Sequence, residues 1–156
     1  MRVWRISKNR HSATAFSGEG SRQFGARWNT AGVPLVYTSL SLSLAVVETF
    51  VHLEIATEPG DLVSIMAELP VDEIQVERVD VGALPEDWRS VNHPGPQAIG
   101  SEWSLSRRSL ALLVPSVAVD GEWNALINPL HPDAAAIVVE KPKPFHFDPR
   151  MFKPTR

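Results

Sequence analysis

Proline is the feature that most limits what this chain can fold into. There are 13 prolines, and Pro129, Pro132, Pro142, Pro144, Pro149 and Pro154 crowd the C-terminal end. Each removes a backbone donor and clashes with the preceding helical turn. No long helix therefore fits after about residue 128, and that region reads as strands and irregular segments wrapped on a core. Further upstream, one stretch free of Gly and Pro reads as a helix from Ser41 to about Ile55, with Leu44, Val47, Val51 and Ile55 at helical spacing. Ser41 or Ser43 can cap its start by accepting a free backbone N–H. A second, weaker helix is predicted over residues 97–107, after the breaker run His93-Pro94-Gly95-Pro96.

The remaining apolar runs are short and bounded by Gly or Pro, as strands are. They cover residues 3–6, 35–38, 62–69, 74–79, 111–114, 124–127 and 137–139. The order is mixed, with more strand than helix and no βαβαβ alternation. This pattern predicts an α+β fold, with a bent and mainly antiparallel sheet and one main helix packed on it. A length of 156 residues suits one domain spanning residues 1–156.

Several function classes are excluded or disfavoured. There is no cysteine, so disulfides, thiol nucleophiles and Cys-type metal sites are excluded. His11, His52, His93, His131 and His146 show no metal-ligand spacing, so no metal is expected. A net charge of −3 and the lack of a basic–aromatic patch argue against direct nucleic-acid binding. No apolar run approaches the roughly 20 residues of a membrane helix, and no signal region follows the first charges. A cytoplasmic location and no membrane partner are the expectation.

Three segments carry candidate chemistry. In Gly25-Ala26-Arg27-Trp28-Asn29 an arginine sits just ahead of a turn. Its planar fork of donors suits a diphosphate or a carboxylate, and a surface arginine lying on the Trp is the plainer reading. Tyr37, the single tyrosine, ends a strand, where it can stack on a planar ring, donate through its hydroxyl, or simply fill space. Glu48 sits in a helix apolar on nearly every side, which predicts a buried helix and a carboxylate that is paired or placed at a cleft. His52, one turn on, is a candidate partner, or the two residues form a solvated stripe. Ser116, just past a strand end, and Asn124 read more plainly as turn chemistry. Neither a G-x-S-x-G elbow nor a phosphate-binding P-loop is present.

Taken in order, Trp4-Arg5-Ile6, GARWNTAGVPLVYTS (25–39), SLSLAVVETFVHL (41–53) and LLVPSVAVDGEWNALINPLHP (112–132) span nearly the whole chain. Together they resemble the RES domain, a toxin family named for an Arg, a Glu and a Ser. The resemblance implies an ADP-ribosyltransferase-like fold with a cleft for NAD, taken as substrate with no further cofactor. It implies cleavage of the nicotinamide–ribose bond by hydrolysis or phosphorolysis, or transfer of ADP-ribose to a protein. It places catalytic roles on Arg27 and Glu48 and NAD contacts on Arg27, Tyr37, Ser116 and, less directly, Asn124. It implies an Xre-like helix-turn-helix antitoxin as partner and admits a homodimer within a toxin–antitoxin complex. A mono-ADP-ribosyltransferase acting on a cellular protein is the alternative enzyme, and a binding module or an RNA-directed toxin the alternative class.

Overall fold

The computed structural model describes residues 1–53, 59–72 and 75–152. Among these residues eight strands form one sheet: β1 (Arg2–Lys8), β2 (Val36–Ser39), β3 (Leu62–Glu68), β4 (Glu77–Arg78), β5 (Ala111–Pro115), β6 (Trp123–Ile127), β7 (Val138–Val139) and β8 (Lys143–Phe145). Their order is β4-β5-β6-β2-β1-β3-β7, with β8 also on β3. Every pairing is antiparallel except β4 with β5. The helices are α1 (Glu19–Phe24), α2 (Leu42–Phe50) and α3 (Pro94–Ser106). The mixed, mostly antiparallel architecture is the one expected from the sequence.

The sheet is packed on both faces. Alternation along β2, β5 and β6 puts Val36, Ala111, Leu113, Ala125 and Ile127 into one core with Val3 and Ala67. The opposite face carries Leu112, Val114 and Leu126, and Trp28, Trp88 and Trp103 close over it. Period-2 alternation thus decides which side each residue faces.

The joint between β1 and β2 is unusual. Strand β1 is registered against β3 along its whole length, from Arg2 opposite Glu68 to Lys8 opposite Leu62. Against β2 it pairs only at Trp4 opposite Ser39. The sheet is therefore split beyond that point, and α2 lies against both strands of the split.

Three expectations need correction. Among the described residues the longest helix is α3, not the segment after Ser41. It begins at Pro94 rather than residue 97, because the supposed breaker run is its start: proline is at home in the first helical turn. His93 caps it by accepting the Gly95 N–H at Nδ1, 2.9 Å away. Helix α2 ends at Phe50 and is not buried all round; only Leu44 and Ala45 are fully enclosed, and Val51 is 55% exposed. Ser41 caps it, accepting from Leu44 N at 3.1 Å. Strand β4 covers only Glu77–Arg78 of the predicted 74–79 run; Ile74 and Ile55 lie outside the described residues. No helix among the described residues is long and apolar enough to cross a membrane.

Candidate active site

The site is built on the split. The segment 25–29 is a tight loop closed by Ala26 and Asn29, with Ala26 N donating to Asn29 O at 2.9 Å. Gly25 has φ +68°, and a Cβ there would lie 3.0 Å from Ala31 N, so glycine is required at this bend. Asn29 is fully buried and its Nδ2 donates to Ser21 O (2.9 Å) and Val33 O (2.9 Å), locking the loop from inside. Helix α3 docks against it: Thr30 N donates to Ser101 Oγ at 3.0 Å, and Gln97 Nε2 to Ala26 O at 3.1 Å.

Tyr37 ties this loop to β2. Its hydroxyl donates to Asn29 Oδ1 at 2.7 Å and accepts from Trp28 N at 3.0 Å. Burial pushes the phenol well above the ordinary tyrosine range, against smaller opposing effects from the Trp28 N–H and the Arg27 charge. The hydroxyl is thus committed to the fold, and the ring is what Tyr37 can offer a ligand.

Arg27 is held by one arm. One terminal nitrogen, Nη1, donates to the carbonyls of Trp88 (3.3 Å), Arg89 (2.9 Å) and Ser90 (3.0 Å). The other N–H groups make no hydrogen bond among the described residues, where Nη1 carries all three. Burial lowers the guanidinium from its ordinary value, while the carboxylate of Glu48 and then the phenol of Tyr37 raise it. Arg27 and Glu48 form no direct ion pair, yet the Glu48 charge is near enough to act on the guanidinium.

Glu48 is oriented by two donors on the far half of the sheet. Ser116 Oγ donates to its Oε1 at 2.6 Å, and Asn124 Nδ2 to the same oxygen at 2.5 Å. Both are short, as charge-assisted bonds are. Ser116 also accepts from Val119 N at 3.0 Å, so its proton is directed to the carboxylate. Both bonds end on Oε1, and the second oxygen, Oε2, accepts no hydrogen bond from the described residues. The sequence expectation of a Glu48–His52 pair is corrected here: His52 is exposed and Glu48 turns away from it toward β5 and β6. Tertiary donors outcompete the i,i+4 neighbour because they come pre-positioned on strands.

Arg27, Tyr37, Glu48, Ser116 and Asn124 are thus brought to one region from five separate segments. A cavity of about 480 Å³ lies elsewhere, lined by Met1, Arg2, Trp4, Leu40, Ser41, Leu42 and Asp72.

Sequence reasoning missed Arg5. It bridges the split, donating from Nη1 to Tyr37 O at 2.7 Å, while its buried Nε has no partner among the described residues. Burial lowers its guanidinium from the ordinary value. The signal was available: Val3 and Arg5 share one face of β1, and Val3 is fully buried, so an arginine falls on a core-facing position.

This open, mostly antiparallel sheet is the fold of a chain from a known toxin–antitoxin complex. The structure superposes with a TM-score of 0.70 on a chain of the M. tuberculosis MbcT–MbcA toxin–antitoxin complex, at 16% identity, covering 96% of this chain and 85% of that one. The chain belongs to the RES domain family, whose model matches residues 2–148. It is 40% identical to the Prs ADP-ribosylating toxin of Sphingobium sp. (strain YBL2), with 96% of each covered. It is 35% identical to Toxin Res of Photorhabdus laumondii over 98% of both chains. It is also 35% identical to Toxin Res of Yersinia enterocolitica, covering 97% of this chain and 99% of that one.

Proposed function

We propose that this chain is the toxin of a toxin–antitoxin pair and that it consumes NAD by breaking the nicotinamide–ribose bond. The observation that carries this reading is Glu48: one carboxylate oxygen fixed by two short hydrogen bonds, the other with no hydrogen bond among the described residues, its charge felt by the Arg27 guanidinium. When the C1′–N bond breaks, its electron pair leaves with the pyridinium, which becomes neutral nicotinamide. No strong general acid is needed. The demand falls on the ribose, which turns oxocarbenium-like. Glu48 Oε2 stabilises that charge from a preorganised position. Arg27 clamps a phosphate or ribose oxygen with the donors that its grip on the 88–90 carbonyls leaves free. The Tyr37 ring packs against the nicotinamide, and Ser116 and Asn124 serve chiefly by aiming Glu48.

In hydrolysis a water oxygen bonds to C1′ and releases a proton, giving ADP-ribose; in phosphorolysis a phosphate oxygen bonds to C1′ instead, giving ADP-ribose 1-phosphate. A second reading, transfer of ADP-ribose to a protein side chain, is favoured by the 40% identity to a toxin named as ADP-ribosylating. An Xre-like antitoxin covering the Arg27–Glu48 surface is the partner that fits the likeness to a toxin–antitoxin complex. NAD labelled in its adenylate half, incubated with the purified protein and cell lysate, tests the reading. Released nicotinamide with label in free ADP-ribose, its 1-phosphate or a protein band supports it and identifies the acceptor. NAD surviving intact overturns it.

A further inference from the structure

Asn124 is held from both sides. Its Nδ2 donates to Glu48, and its Oδ1 accepts from Ser39 Oγ at 2.7 Å. An ionised carboxylate can only accept, so the amide nitrogen must face Glu48 and the amide oxygen must face Ser39. The carboxylate sets the sense of the amide, Ser39 then donates to it, and that hydrogen bond anchors the amide in place from the far side. Ser39 is 3% exposed, so water does not readily replace its hydroxyl. Its backbone is fixed twice, opposite Asn124 on β6 and at the one paired position with β1, Trp4. The donor therefore sits where the split sheet is still joined.

We propose that Ser39 is a positioning residue for the proposed NAD reaction, acting through Asn124 to orient Glu48. Its hydroxyl bonds to Asn124 and not to Glu48, and its burial keeps it from the ligand. Removing its hydroxyl leaves Oδ1 without a donor and frees the amide to turn, which takes one of the two donors from Glu48 Oε1. The effect falls on turnover and not on KM. The inference rests on the NAD reading for its kinetic consequence, but the polarity of the chain Ser39–Asn124–Glu48 is testable without any substrate.

The test combines Ser39→Ala, Ser39→Cys and Asn124→Ala. Cysteine keeps the bulk with only a weak donor and so separates packing from hydrogen bonding. In unliganded protein with 15N-labelled asparagine, the Asn124 side-chain amide protons, assigned by their loss in Asn124→Ala, should exchange slowly with solvent. In Ser39→Ala and Ser39→Cys they should exchange faster. Turnover of NAD should fall about tenfold in Ser39→Ala with KM unchanged, the size of one lost hydrogen bond. Adding Ser39→Ala to Asn124→Ala should cost nothing more. Unchanged Asn124 amide exchange in both Ser39 variants overturns the proposal whatever the substrate is. Fully additive losses in the double variant overturn it as well. Altered amide exchange in a protein that leaves NAD untouched would uphold the positioning contact and reject the substrate.

Discussion

Replacing Glu48 by glutamine removes a charge while keeping the side chain's shape. Both partners of Oε1 are donors, Ser116 Oγ and Asn124 Nδ2. The new amide will therefore turn its oxygen toward them and place its nitrogen where Oε2 stood. No buried group is orphaned. Two charge-assisted bonds become neutral ones, partly offset by the easier desolvation of an amide. The stability change should stay near 1 kcal/mol, a shift of about 2–4 °C in Tm for a domain of this size. Catalysis loses the fixed negative charge at the ribose, which costs about 10²–10³ in turnover, or about 2.7–4 kcal/mol. Nicotinamide release from NAD, measured beside a thermal melt, separates the two effects. A folded Glu48→Gln protein that turns over NAD like its parent would refute the electrostatic role. Glu48→Ala, which strands both donors, should be worse in stability than Glu48→Gln.

Other predictions follow from the same geometry. Arg27→Lys keeps the charge but cannot both grip the 88–90 carbonyls and reach a ligand, so KM for NAD should rise by about tenfold or more; an unchanged KM counts against the clamp. Gly100→Ala should destabilise by about 1–3 kcal/mol or more, because its Cβ would stand 1.9 Å from the Trp28 carbonyl oxygen; a denaturant melt showing no loss would mean that α3 does not dock there. Tyr37 is the single tyrosine, so tyrosinate absorbance reports on it alone. Its folded-state pKa is raised. Its contribution to stability is therefore intact below the unfolded tyrosine value of about 10 and is lost as pH climbs above that. Tyrosinate should appear together with alkaline unfolding; a separate ionisation in the folded protein near the ordinary value would contradict the buried hydroxyl.

Much of the sheet could be read from the sequence because its central strands are short, apolar and bounded by breakers. Residues 111–114 and 124–127 needed only one extra residue each. What escaped was set by local chemistry or by long-range partners. The His93-Pro94-Gly95-Pro96 run has the composition of a turn, yet proline at the start of a helix and a histidine cap make it a helix entrance. The six residues of α1 are too few to show a period. Strand β4 shrinks to two residues at the sheet edge, where its one partner is β5. In the candidate site, Arg27, Tyr37, Glu48, Ser116 and Asn124 were each nameable from residue type and order. The partner of Glu48 was not, since Asn124 lies 76 positions away and His52 only four. Ser39 gave no sequence signal, because its importance depends on which side of an amide it meets.

A crystal structure of the Glu48→Gln protein grown or soaked with NAD places the ligand directly. The ribose C1′ should lie beside the side chain of residue 48, with a phosphate or ribose oxygen on the free donors of Arg27 and the nicotinamide against the Tyr37 ring. NAD bound instead in the hollow beside Met1, Trp4 and Asp72, with residues 27 and 48 untouched, would contradict that arrangement.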